Sequence, residues 1–189
     1  MNPPLSKTSL RKQLLSKRRS LAHAVWREKS DRLVQRLQSS SVFREAKTIL
    51  AYFSFRQEPD LSPLFTDHCK WGFPRCVEQS LVWHLWQFGQ PLQKGIYGIE
   101  EPLTDAPQLI PTEVDLILVP AVACDRFGYR LGYGGGFYDR MLADPQWQNI
   151  PSIGIVFDFA FLPHLPIESW DQPLDGICTE NEFLMITSR

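Results

Sequence analysis

Four glycines fall within five residues in the run Arg130-Leu131-Gly132-Tyr133-Gly134-Gly135-Gly136-Phe137-Tyr138-Asp139-Arg140. Glycine lets the chain come close to a ligand and take up positive φ, so such a loop can turn bare amide N–H groups toward an anion. A helix-capable stretch, Phe137 to Leu142, follows directly and would add its positive end to the same spot. Asp139 stands where a carboxylate can hold a hard divalent cation against a phosphate. The run therefore reads as a phosphate cradle. It is not a Walker loop, because the Gly-Lys-Ser/Thr ending is missing. It also lacks the spacing of the dinucleotide fingerprint, since no glycine follows three residues after Gly134.

Other charged groups need a partner. Ten of the 20 Lys and Arg residues lie in the first 36 positions, against two acids there, Glu28 and Asp31. Lys7, Arg11 and Arg18 form a stripe about 40° wide on a helical wheel, beside a second stripe of Leu10, Leu14 and Leu21. The stripe reads either as a solvated helix face, the commoner case, or as an anion-binding edge that reaches over the core. Glu58 precedes Pro59 at the end of an apolar segment. It is either an exposed turn residue or an acceptor for a ring amide or amine of a ligand. Asp171 and Asp175 lie in a late proline-containing loop, and either is placed by sequence to share a metal with Asp139 or simply to cap a turn. The histidines show no paired spacing, and no role attaches to them.

The positioning elements follow from periodicity. Residues 5 to 58 contain no Gly and no Pro, and two basic helices are expected there, the second from about Ala24 to Ser39 with Trp26, Leu33 and Leu37 on one face. Thr48 to Phe55 reads as a strand buried on both faces. A loop through Gln57-Glu58-Pro59-Asp60 and a short helix to about Cys69 come next. Gly72 to Arg75 reads as a short strand that stops at Pro74, Leu81 to Phe88 as an aromatic-rich strand, and Tyr97 to Pro102 as a loop. Asp115 to Val122, Pro151 to Phe157, Gly176 to Thr179 and an edge strand Phe183 to Ile186 complete the pattern. Strands alternating with helices predict one α/β domain over residues 1–189, three-layered, with a mostly parallel sheet. Ligands of such sheets sit at the carboxyl ends of the strands, which puts Glu58 and the glycine loop on one rim.

Composition narrows the class. Net charge is −1 and the sequence pI is near 6.4, which argues against a general polyanion or nucleic-acid binder. No apolar run approaches the ~20 residues needed to cross a bilayer. Basic residues recur where a signal peptide would be apolar, so a cytoplasmic protein with no membrane partner is expected. Cys69, Cys76, Cys124 and Cys178 show no Cys-x-x-Cys spacing and read as free thiols.

The chain resembles the 5-formyltetrahydrofolate cyclo-ligase (5,10-methenyltetrahydrofolate synthetase) family. The blocks that carry the resemblance are Lys7-Thr8-Ser9-Leu10-Arg11, then Phe53-Ser54-Phe55 with Glu58, and above all Asp125 through Asp139. Weaker agreements are Phe73-Pro74-Arg75, Gly98 to Pro102, and Asp171 to Gly176 leading to Thr179-Glu180. The resemblance implies ATP- and Mg2+-dependent closure of 5-formyltetrahydrofolate to 5,10-methenyltetrahydrofolate, with ADP and phosphate released. It implies that Lys7 and Arg11 hold nucleotide phosphates and act in catalysis with Glu58. The segment Arg130, Leu131, Gly132, Tyr133, Gly134, Gly135, Gly136, Phe137 and Tyr138 would wrap the ATP. Phe53, Glu58, Tyr133, Gly136 and Phe137 would contact the folate, and Asp139 and Asp171 would hold magnesium. A monomer acting on small molecules is expected. Phe137 departs from the Tyr of many members, and Gly135 from the Lys of some animal members, which removes one cation from the loop. The alternatives are a cyclo-ligase-like paralogue with another ligand and, against the overall charge, a polyanion- or nucleic-acid-binding protein that uses the basic N-terminal helices.

Overall fold

The computed structural model describes residues 6–66 and 68–186, so the expectation of one domain over 1–189 extends at both ends beyond the described residues. Three helices come first: α1 (Lys7–Arg19), α2 (His23–Ser39) and the short α3 (Ser41–Glu45). Ser6 caps α1 by accepting from the Ser9 amide at 3.2 Å, and Lys17, Arg18 and Arg19 face the negative end of the helix dipole. Next come β1 (Thr48–Leu50), β2 (Lys70–Val77), β3 (Ser80–Trp86), β4 (Leu92–Lys94) and β5 (Glu100–Pro102). The second half holds β6 (Leu116–Pro120), β7 (Ala123–Asp125), β8 (Arg130–Leu131), α4 (Phe137–Ala143), β9 (Ser152–Ile155), β10 (Phe161–Leu162), β11 (Gly176–Cys178) and β12 (Phe183–Met185).

Seven strands form the central sheet in the order β12-β11-β9-β6-β1-β2-β3. The five inner strands run parallel, and the two edge strands, β12 and β3, are antiparallel to their neighbours. Alternation along the inner strands separates two cores. Leu50, Ile117 and Val119 face α1 and α4, packing with Leu10, Leu14, Met141 and Leu142. Ile49, Leu116, Leu118, Ile153 and Ile155 face α2, packing with Leu33, Val34 and Leu37. The fold is therefore a three-layer α/β/α arrangement around a mostly parallel sheet, as the alternation of elements predicts. Among the described residues, no helix is long and apolar enough to cross a membrane, and all four cysteines are free.

Four elements differ from the sequence expectation. β1 ends at Leu50; the Ala51 amide still reaches the Gly72 carbonyl at 2.8 Å, but the chain then leaves the sheet to build the Glu58 loop. Of the helix expected before Cys69, the described residues hold only a 3-10 turn over Ser62–Leu64, and residue 67 lies outside them. β2 continues through Pro74. Trp83, opposite Pro74, turns its carbonyl away from β2 to the Leu109 amide at 2.9 Å, so the pair is of the non-hydrogen-bonded kind and no bond to β3 is lost. Finally, Glu100–Pro102 is not loop but pairs with β4 in a small hairpin.

Leu37 is fully buried between α2 and the sheet. Leu37→Ala is expected to lower unfolding free energy by about 3 kcal/mol through lost burial and the cavity left behind. Urea denaturation of the two proteins at neutral pH measures it.

Candidate active site

The carboxyl ends of β1 and β6 open onto a rim where three segments meet. The first is the loop after β1. Arg56 and Gln57 both adopt left-handed backbone, φ 51° and 57°, which for side-chain-bearing residues costs energy and needs outside support. The support comes from the end of α1. The Arg56 carbonyl accepts from Arg18 Nε at 3.1 Å, and Gln57 Nε2 donates to the Leu21 carbonyl at 3.2 Å. Trp26 of α2 adds a bond from Nε1 to the Glu58 carbonyl at 2.9 Å. The result folds Glu58 back, so that its Oε2 accepts from the Phe55 amide at 3.1 Å and the residue is only 3% exposed.

The second segment is the glycine loop. It leaves β8, which pairs antiparallel with β7 across a turn held by Asp125, whose Oδ1 accepts from the Phe127 and Tyr129 amides at 3.0 Å each. Gly134 and Gly136 have φ of 108° and 68°, values that favour glycine. Two arginines hold its carbonyls. Arg11 Nε donates to the Gly132 carbonyl at 2.7 Å, and Arg140 Nη2 donates to the Gly135 carbonyl at 2.9 Å. Arg140 also reaches the Gln79 carbonyl between β2 and β3 at 2.8 Å. Among the described residues, none of the amides from 132 to 136 finds a protein acceptor. With carbonyls anchored and amides open, the loop presents donors. α4 has seven residues, so its own dipole adds little beyond its first turn.

The third segment is the late loop carrying Asp171. Its Oδ2 pairs with Lys7 Nζ and accepts from the Glu168 amide at 2.7 Å. Asp139 Oδ1 lies 2.9 Å from Arg130 Nη2 and accepts from the amide of Gln172, the residue after Asp171, at 3.3 Å. Among the described residues, no group of three or more His, Cys, Asp or Glu converges. Magnesium, however, is commonly held by one or two carboxylates with phosphates and water completing its shell, and two hard oxygen donors fit that habit. Asp175 differs: its Oδ2 accepts from the Ser152 amide at 2.9 Å and Ser152 Oγ at 2.8 Å, tying the start of β9.

The structure thus brings Lys7, Arg11, Glu58, the 130–138 segment, Asp139 and Asp171 into one region. It also specifies how each stands. Arg130 is buried between Asp139 and the Gln172 carbonyl (3.0 Å), and the Leu131 side chain belongs to the core. Phe53 stacks on Phe73 at 4.0 Å between centroids and meets Trp86 edge-on at 5.2 Å, a half-buried ring at the edge of an aromatic cluster. Phe137 lies edge-on to Tyr97 at 5.9 Å, with the Arg140 guanidinium 5.1 Å over its ring. Tyr138 sits against Trp83 and Arg130.

Arg18 carries more than its place in a stripe foretells. Only 4% exposed, it donates to the Ala121 carbonyl at 3.3 Å, pairs through Nη2 with the Tyr133 hydroxyl, and lies 3.8 Å from Glu58 Oε1. The stripe position of Arg18 was visible in sequence, and its partners, 38 to 115 residues away, were not. Arg140 had no signal beyond following Asp139.

Burial raises the Glu58 carboxyl from its ordinary 4.5 to about 7, with Arg18 and the Phe55 amide opposing that rise. Burial and the neighbouring Glu58 push the Tyr133 phenol up as well.

The family model described as the 5-formyltetrahydrofolate cyclo-ligase family matches residues 4–180. The 5-formyltetrahydrofolate cyclo-ligase of Escherichia coli K12 is 29% identical over 177 residues, covering 88% of this chain and 96% of that one. The enzyme of the same name from Mycolicibacterium smegmatis is 32% identical over 190 residues, covering 93% and 94%. The NMR structure of Aquifex aeolicus 5,10-methenyltetrahydrofolate synthetase superposes with a TM-score of 0.86 at 31% identity, over 98% of this chain and 95% of that one.

The raised Glu58 pKa has a thermodynamic consequence. The folded state binds the Glu58 proton more tightly than the unfolded chain, so the contribution of this group is fully present below pH 4.5 and is lost as pH rises through about 7. Glu58→Gln removes that slope. Relative to the parent, the variant is expected to gain up to about 3 kcal/mol between pH 4.5 and 8. Denaturation of both proteins across that range reads the difference.

Proposed function

The chain belongs to the 5-formyltetrahydrofolate cyclo-ligase family, and on that basis we propose that it closes 5-formyltetrahydrofolate to 5,10-methenyltetrahydrofolate at the expense of ATP. The observation that carries this reading is the glycine loop itself: its carbonyls at 132 and 135 are anchored by arginines, and its amides are open to an anion. The loop lies against a buried carboxylate, Glu58, suited to the N–H donors of a pterin.

A formamide is a weak electrophile, and N10 of the folate does not displace its oxygen unaided. Transfer of the γ-phosphoryl group to the formyl oxygen forms an O–P bond, breaks the bond to ADP, and makes phosphate the leaving group. The N10 lone pair then attacks the formyl carbon, the N10 proton is lost, and the C–O bond to phosphate breaks to leave the methenyl bridge. Such a transfer asks the protein mainly for alignment and charge neutralisation. Amides from 132 to 136, with Lys7 and Arg11 beside them, supply fixed positive charge to the moving phosphoryl group. Glu58, and Phe53 at the aromatic edge, orient the pterin so that its formyl oxygen faces the nucleotide. Tyr133, Gly136 and Phe137 would contact the folate from the loop, while the Tyr133 hydroxyl stays on Arg18. Asp139 and Asp171 would hold magnesium, which would neutralise phosphate charge when bound. Lys7 and Arg130, now paired with those carboxylates, would then be released toward the phosphates. The inward pairing of the α1 stripe leaves little of it for a polyanion docked from outside. The protein is proposed to act as a cytoplasmic monomer on these small molecules.

The test is the absorbance of methenyltetrahydrofolate formed from 5-formyltetrahydrofolate. Product is expected with ATP and magnesium present and absent when either is withheld. No product under any condition rejects the reading in favour of a paralogue with another ligand. Arg11→Ala and Asp139→Ala are each expected to lower turnover by ~10²-fold or more at saturating ATP, as loss of a transition-state contact does.

A further inference from the structure

Arg18 joins the two halves of the rim. Its guanidinium touches three segments that come together only in the folded chain. These are the Glu58 loop through the Arg56 carbonyl and Glu58 Oε1, the end of β6 through the Ala121 carbonyl, and the glycine loop through the Tyr133 hydroxyl. The guanidinium carbon also lies 5.6 Å from the centre of the Tyr133 ring. Charges this buried are stabilised only by well-placed partners, and in low dielectric each such contact is strong and directional. Displacing one partner must therefore be felt by the others.

Resting on the cyclo-ligase reading above, we propose that Arg18 is a positioning residue that couples the folate side of the site, at Glu58, to the nucleotide loop, at Tyr133. A pterin hydrogen-bonded to Glu58 fixes the carboxylate. The fixed carboxylate fixes the guanidinium 3.8 Å away, and Nη2 fixes the Tyr133 hydroxyl. Tyr133 is 40% exposed, in a loop with four glycines, and its hydroxyl is held by Arg18 and by Glu58 itself, so the buried pair together limits its freedom. A loop already ordered when the nucleotide arrives loses less entropy on binding it. The two ligands then bind with positive coupling, and linkage requires the same factor in both directions.

Calorimetric titration of the full chain tests this. The probes are 5-formyltetrahydrofolate and the β,γ-imido analogue of ATP with magnesium, which does not transfer its phosphoryl group. In the parent protein, saturating folate is expected to tighten the analogue by about 5-fold or more, and saturating analogue to tighten folate by the same factor. Arg18→Lys keeps the charge but loses the planar fork that spans both partners, and the factor is expected to fall to near one while both ligands still bind. Tyr133→Phe removes only the hydroxyl from a partly exposed side chain and is expected to do the same; it decides the matter if Arg18→Lys does not fold. A factor retained in a folded Arg18→Lys or in Tyr133→Phe overturns the coupling role. Two ligands that bind the parent protein independently overturn it too, while leaving the proposed function standing. Failure of the parent to bind either ligand overturns both.

Discussion

The burial of one guanidinium organises this molecule. A charged group inside a protein is tolerated only when oxygen atoms surround it, and Arg18 finds them on the Glu58 loop, at the end of β6 and on the glycine loop. Those segments cannot move independently without stranding a charge. Leu14 and Leu10, one and two turns earlier on the same helix, press α1 onto the sheet, and Arg11 and Lys7 then fall onto the Gly132 carbonyl and Asp171. One helix thus presents an apolar seam to the core and a basic edge to the site, with helical spacing doing the alignment.

This arrangement also explains how a loop rich in glycine keeps a defined shape. Glycine supplies the positive φ at 134 and 136 but offers no side chain to lock it. Locking comes from outside, through Arg11 and Arg140 on two of its carbonyls and Tyr133 on Arg18. The Glu58 loop follows the same logic. Two consecutive left-handed residues, Arg56 and Gln57, are held from the end of α1, and the strain sits beside the carboxylate it positions.

Local pattern made much of this legible. The glycine run, the leucine and basic stripes of α1, the apolar strand within Asp115 to Val122 and the late strands could all be read from spacing, because helix and strand periods are local properties. Pattern failed where tertiary context decides. The apolar run from Thr48 leaves the sheet at Ala51, because its following residues are needed for the Glu58 loop and the aromatic cluster. Pro74 sits inside a strand because its missing N–H falls opposite a non-hydrogen-bonded partner, a fact set by the register with β3. The β4–β5 hairpin is too short to show a period of its own. At the site, residue types and rough placement were visible in Lys7, Arg11, Glu58 and Asp139. Their pairings were not, since Lys7 meets Asp171 and Arg130 meets Asp139 through distances in sequence that no local rule covers.

Those long spans carry a consequence for biosynthesis. The bond from Arg11 to Gly132 closes 121 positions, and that from Lys7 to Asp171 closes 164. α1 therefore leaves the ribosome long before the segments that partner Lys7 and Arg11 exist. Until the later strands are made, its leucines and unpaired cations have only the nascent chain and solvent for company, a situation that exposes apolar surface to aggregation. Contacts of this separation also slow the search for the native arrangement. The rim that carries the glycine loop is accordingly among the last parts of the molecule able to assemble.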